Sequence, residues 1–243
     1  MTDLGTLGGQ FTRAVAINVN GQITGASSTG ETCTTFSDDG STFTSDISHA
    51  FIWDGGVMSD LGTLNHTGNC FDYSAAVDIN NFGQIVGTTL DPVRVLQIGF
   101  RWQNGRMTPL VGSNPDDQME VFAINDLGQI IGYDDVTFPS GNVLWTRGAA
   151  AAKSLNCPGL FISDDINDLG WVAGIATSLS TGQFVVGLCV NGRTINLPDV
   201  ANSNSSFPSG MNSLGVIVGV AQFGFGDEFT EHAYMWRPSL TPR

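Results

Sequence analysis

Ile17-Asn18-Val19-Asn20-Gly21-Gln22-Ile23-Thr24-Gly25 is the stretch on which the fold turns, because the chain repeats it. The later copies are Ile79-Asn80-Asn81-Phe82-Gly83-Gln84-Ile85-Val86-Gly87, Ile124-Asn125-Asp126-Leu127-Gly128-Gln129-Ile130-Ile131-Gly132, Ile166-Asn167-Asp168-Leu169-Gly170-Trp171-Val172-Ala173-Gly174 and Met211-Asn212-Ser213-Leu214-Gly215-Val216-Ile217-Val218-Gly219. Their asparagines are spaced by 62, 45, 42 and 45 residues. Self-similarity at roughly 40–50 residues marks a solenoid, propeller or array. Within each copy Asn-x-x-Gly reads as a turn, since Asn bonds its own backbone and Gly supplies a positive φ.

The flanks repeat too. A short stretch of small and β-branched residues precedes each asparagine, as in Ser74-Ala75-Ala76-Val77-Asp78, and reads as an inner strand. An apolar strand follows the turn. A third strand comes after a variable loop, as in His49-Ala50-Phe51-Ile52-Trp53 and His232-Ala233-Tyr234-Met235-Trp236. A tight turn then leads to a fourth, as in Ser59-Asp60-Leu61-Gly62-Thr63-Leu64. Four short antiparallel strands per repeat is the size of one propeller blade. The expected fold is all-β, a single five-bladed β-propeller with blades near 8–64, 65–110, 111–155, 156–197, and 198–240 together with 1–7. The last blade stops after its third strand, and Thr2-Asp3-Leu4-Gly5-Thr6-Leu7 nearly copies the fourth strand of the first blade. That stretch is expected to complete the C-terminal blade and close the ring, which removes a sheet edge.

Composition agrees with short strands and many turns: 31 of 243 residues are Gly and 13% are charged. The net charge of −14 disfavours nucleic acid and anionic lipid as partners. No apolar run approaches the ~20 residues of a membrane helix. A monomer is expected.

Asp3-Leu4-Gly5-Thr6-Leu7-Gly8-Gly9, the Ala16-Ile17-Asn18 motif and His49-Ala50-Phe51 together resemble the extracellular HAF-repeat family of exported bacterial proteins. The resemblance implies secretion. It implies no particular chemistry, and it carries over no catalytic residue.

The loops that differ between copies share one face of such a disc. They include the insertion Ser28–Ser48 and the loops 65–73, 111–118, 198–206 and 223–231. Variable loops on a repeated scaffold are the usual layout of a binding surface. Acidic pairs gather in or near them: Asp38-Asp39, Asp116-Asp117, Asp134-Asp135, Asp164-Asp165 and Asp227-Glu228. They read as solubility, as a calcium site, or as a carboxylate pair for sugar-bond cleavage. No other cofactor is implied. Asp78 and Asp165 share one inner-strand position and are expected to face a central channel. Arg13 and Glu120 are inner-strand charges as well. His66 lies outside the repeat pattern, near Asp72 and Tyr73, and is the histidine to test for function. His49 and His232 occupy one repeat phase and read as scaffold; Trp53, Trp102, Trp145 and Trp236 read as packing between blades. Cys33 and Cys70 fall in neighbouring loops of the variable face and are expected to form a disulfide. Cys157 and Cys189 are expected at opposite ends of a strand and therefore unbonded. Trp171 is expected to fill space left at Cys189.

Two functions remain. One is a secreted module binding a glycan or small polar ligand at the variable face and central mouth. The other is a glycoside hydrolase or lyase using carboxylates there, assisted by His66 or Tyr73.

Overall fold

The computed structural model describes residues 1–37, 39–64, 69–91, 93–94, 96–112, 118–135, 141–149, 151–224 and 228–238. The chain is all-β, with no α-helix among the described residues. The first sheet holds β1 (Thr12–Ile17), β2 (Ile23–Phe36), β3 (Thr42–Asp54) and β4 (Val57–Asp60). The second holds β5 (Ser74–Ile79), β6 (Ile85–Asp91), β7 (Leu96–Gln103) and β8 (Arg106–Pro109). The third holds β9 (Met119–Ile124), β10 (Ile130–Asp134), β11 (Asn142–Trp145) and β12 (Lys153–Ser154). The fourth holds β13 (Leu160–Ile166), β14 (Val172–Thr177), β15 (Phe184–Val190) and β16 (Arg193–Asn196). The last holds β17 (Ser205–Met211), β18 (Ile217–Phe223) and β19 (Thr230–Trp236). In every sheet the strands lie in chain order, so each repeat is one meander. These are the five sheets that the five asparagine motifs imply. The last has three strands among the described residues, and Met1–Thr6 carry no strand. The chain forms two compact units, Met1–Ile124 and Asn125–Arg243.

The asparagine motif joins each first strand to its second. Asn18 Oδ1 accepts from the amides of Asn20 and Gln22, which closes the turn, and Gly21 sits at φ 78°. The side-chain amide of Asn18 donates to Gln22 Oε1 at 2.8 Å and to the carbonyl of Asn80, in the next repeat, at 3.0 Å. Asn125 does the same with Gln129 and with the carbonyl of Asn167. Asn167 reaches the carbonyl of Asn212 at 3.4 Å. One side chain therefore shapes its own turn and ties it to the following one.

The terminal glycine of each motif has a different cause. The first strands are bulged at one repeat position: between Ala14 and Ala16, Ala76 and Asp78, Ser163 and Asp165, and Pro208 and Gly210. The bulge presses a carbonyl onto the glycine across the ladder. A Cβ at Gly25, Gly87, Gly174 or Gly219 would lie within about 2.1 Å of the carbonyl oxygen of Arg13, Ala75, Ile162 or Phe207 respectively. These glycines are needed for close approach, not for a positive φ.

In the first unit, Ala50 and Leu61 of one repeat pack against Ala76, Ile79, Ile85 and Phe100 of the next, with Trp102 at the edge. In the second, Ala173, Val186, Leu188 and Leu197 pack against Ile217 and Trp236. Trp102 and Trp236 thus serve the packing read from their phase. His49 is the scaffold residue expected, its Nδ1 2.8 Å from Asp60. The insertion Ser28–Ser48, read as a loop, instead continues β2 and β3 into a long two-stranded ribbon. Its alternating Thr and Ser suit strands, and Thr34 and Thr44 hydroxyls meet across it at 3.0 Å.

Two sequence expectations fail in the fourth sheet. Cys157 and Cys189 form a disulfide, with Cα atoms 5.9 Å apart. Their separation was inferred from strand position alone. The turn in which Leu160 N donates to Cys157 O, with Asn156 at φ 51°, brings this segment beside the β15–β16 hairpin, near Gly192. Trp171 does not fill space at Cys189 either. Its indole lies over Gly215 of the next repeat. Gln22 and Gln129 point the same way, toward Gly83 and Gly170.

Gly87→Ala is expected to cost about 2–3 kcal/mol, because a carbonyl of the first strand must move. Gly83→Ala, at φ 70° where a Cβ would meet only Gln22 Oε1 at an ordinary 3.5 Å, should cost about 1–2 kcal/mol from backbone strain alone. Urea unfolding measures both. A cheaper Gly87→Ala contradicts the close-approach account.

Candidate functional site

The first strands of the first two sheets present matching faces. Phe11, Arg13 and Val15 alternate along one, and Tyr73, Ala75 and Val77 along the other. Phe11 is anchored by Ser28, whose Oγ accepts from Phe11 N at 2.9 Å and whose amide donates to Phe11 O at 2.8 Å. The Tyr73 carbonyl accepts from Thr89 Oγ1 at 2.7 Å. With Asp46 and Ser48 of β3, these faces line a cleft of about 690 Å³, within the first compact unit. That size suits a small ligand.

The two charged side chains that line the cleft are Arg13 and Asp46. Among the described residues, the Arg13 guanidinium has no ion pair and the Asp46 carboxylate no hydrogen bond, although the chain carries 23 Asp and Glu against 9 Lys and Arg. The disulfide expected between Cys33 and Cys70 is present, with Cα atoms 5.2 Å apart. Cys33 adjoins Thr32, which pairs with Asp46 across the ribbon. Cys70 lies three residues before Tyr73. The bond therefore ties the wall that carries Asp46 to the wall that carries Tyr73. Two disulfides belong to the chemistry of an oxidising compartment.

The other sequence candidates are placed as follows. Asp78 and Asp165 are braces. Asp78 Oδ1 accepts from Ile79 N, and its Oδ2 from Ile124 N at 2.8 Å. Asp165 Oδ1 accepts from Ile166 N, and its Oδ2 from Met211 N at 2.6 Å. Each carboxylate reaches into the following repeat, where Ala123 or Gly210 leaves room. Burial pushes the Asp165 carboxyl up, and these two amides pull it back. Asp72 is 2% exposed and does not line the cleft. Glu120 is exposed on β9 and is not part of it either. His66 lies outside the described residues, as do Asp38, Asp116, Asp117 and Asp227. Asp39 serves its own loop, accepting from Ser41 N and Oγ. Among the described residues no three His, Cys, Asp or Glu side chains gather to hold a cation.

Phe11, Asp46 and Ser48 were not singled out from sequence. Phe11 had a signal: it holds the phase of Tyr73, two residues before the bulge-side pair of its strand. Asp46 had none, because its position depends on the ribbon and its disulfide.

Asp164 is the residue inserted at the bulge of β13, where the other described copies have Val15, Val77 and Ser209. Burial pushes its carboxyl from 3.8 up to about 6, and the Asp165 charge adds to the rise. A raised carboxyl favours the protonated folded state. Its contribution is therefore complete below 3.8 and lost as pH rises through about 6. Asp164→Asn is expected to stabilise the protein by about 1–2 kcal/mol at neutral pH, a figure reduced for partial solvent screening, with the gain fading toward about pH 4. Denaturant titrations at both pH values measure it; an equal gain at each rejects the assignment.

No family model matches the chain, and no curated protein does. Among solved structures, a protein assigned as TolB from Agrobacterium tumefaciens is similar at 12% identity and TM-score 0.40, over 87% of this chain and 84% of that one. A DUF4784 family protein from Bacteroides caccae is similar at 11% identity and TM-score 0.36, over 94% and 81%. At these values neither likeness carries information about function.

Proposed function

We propose that this chain is a secreted module that binds a glycan or another small polar ligand in the cleft between its first two sheets. The observation that carries the reading is the set of unpaired heads, Arg13 and Asp46, converging with Phe11 and Tyr73 on a cleft of about 690 Å³. Aromatic faces flanked by a few aimed polar groups suit a sugar ring, which is apolar on its faces and polar at its rim. The carboxylates expected to serve an enzyme, Asp78 and Asp165, are held by backbone amides, which favours binding over turnover. Export is supported by the two disulfides and by the repeat resemblance. The acidic charge of −14 argues against nucleic acid and anionic membrane as partners.

The same proposal includes a five-bladed ring closed by residues 2–7. Asp3 Oδ1 accepts from Gly5 N at 3.0 Å, the turn that Asp60 makes with Gly62 at 2.7 Å. The last sheet has three described strands, and Ala233 on β19 is exposed, whereas its counterpart Ala50 is fully buried in a cluster that includes Leu61. In a closed ring Leu4 takes the part of Leu61, whose amide donates to Ala50 O.

A glycan array run beside a reducing-end assay tests the function. We expect retention of a saccharide class without turnover, and a loss of at least about tenfold in Tyr73→Ala at unchanged melting temperature. Turnover, or full affinity in that variant, counts against the proposal. For closure, Leu4→Ala is expected to cost about 2–4 kcal/mol, as Leu61→Ala does. A cost below about 0.5 kcal/mol means that the N-terminal segment is not a strand of the ring.

A further inference from the structure

We infer that the ligand of the cleft is an acidic sugar: its carboxylate sits on Arg13, its ring lies against Tyr73 and Phe11, and a hydroxyl donates to Asp46. This rests on the binding reading above and narrows it.

Arg13 is the starting point. A guanidinium is always charged and offers a planar fork of donors that matches a carboxylate. In so acidic a chain an arginine has many potential partners, yet Arg13 has none among the described residues. Its surroundings explain how it stays free. It pairs across the ladder with Ala26, and Ala75 holds the equivalent place on the facing strand. Small residues at both places leave open space beside Arg13 in the cleft. A cation that lines an open cleft with no protein partner is a receptor for an anion from solution.

The rest of the cleft selects among anions. It lines up one cation, so it matches one negative charge. A phosphate or sulfate dianion is ordinarily met by several donors or cations together, and Arg13 stands alone. Asp46 is an acceptor without hydrogens to give, so it takes a hydroxyl or an ammonium and repels a second carboxylate. It therefore orients the ligand with its acid group toward Arg13. Phe11 and Tyr73, at equivalent positions of facing strands, supply flat apolar surface for the carbon skeleton between those two ends. The overall charge of −14 opposes an anion at long range, but it is screened beyond about 8 Å at physiological salt, whereas the contact with Arg13 is direct. A hydroxylated ring bearing one carboxylate, a uronic acid residue, meets all these conditions.

The test is calorimetric titration of the full chain with oligogalacturonate and oligoglucuronate, each beside the neutral oligosaccharide of the same linkage. The wild type is expected to bind one acidic oligosaccharide at least about tenfold more tightly than its neutral counterpart, a difference of about 1.4 kcal/mol. Arg13→Gln should remove that preference, with circular dichroism and melting temperature unchanged. Equal affinity for acidic and neutral sugars in the wild type overturns the inference, and so does a preference that survives Arg13→Gln. If a neutral sugar binds and Tyr73→Ala abolishes it, the acidic assignment falls while the cleft stands as a sugar site. If no saccharide binds, both readings fall.

Discussion

The structure depends on one side chain used over and over, the asparagine of the repeat. Its oxygen closes the turn between the first and second strands, and in Asn18, Asn125 and Asn167 its amide donates to the backbone carbonyl of the next asparagine. Asn18, Asn80, Asn125 and Asn167 are each at most 8% exposed. A buried amide that loses its partner costs about 1–3 kcal/mol. An aspartate cannot replace it, because the position needs an acceptor for the turn and a donor for the neighbour at once. The motif is a hairpin signal and an assembly signal in one residue.

The bulge in the first strand follows from the same arrangement. It brings a carbonyl against the second strand, and only glycine admits it there. It also adds one residue to the strand at a fixed position of the repeat. Val15 and Val77 line the cleft from that position. Asp164 holds it in the fourth sheet, where burial makes a carboxylate costly. The following position carries the braces Asp78 and Asp165. Carboxylates there alternate with small residues, Ala123 and Gly210, in the next repeat, whose following amides they hold. Divergence between repeats is thus constrained in pairs.

Rigidity in the scaffold and freedom in the cleft are complementary. The hydroxyls of Ser28 and Thr89 hold the backbones of Phe11 and Tyr73, and the Cys33–Cys70 disulfide ties the ribbon wall to the strand wall. The heads of Arg13 and Asp46 stay unpaired among the described residues. Pre-positioned polar groups lower the ordering cost of binding, since the protein has little left to organise when a ligand arrives. Placing such heads on strands instead of long loops serves that end.

By itself the sequence determined the number of sheets, their chain order, the turn at each asparagine and the Cys33–Cys70 bond. These features are periodic or close in the chain, so residue type and spacing carry them. Only the tertiary structure decided what faces what. Asp78 and Asp165 look like free charges in a sequence and are braces in the fold, because the amides they hold belong to the next repeat. Cys157 meets Cys189 through a turn whose direction no strand count reveals. Trp171 leans forward over Gly215, as Gln22 and Gln129 lean onto Gly83 and Gly170. The cleft itself joins Phe11 and Arg13, Asp46, and Tyr73 from three separate segments. Periodicity records what each repeat does alone, and the site arises where two of them differ side by side.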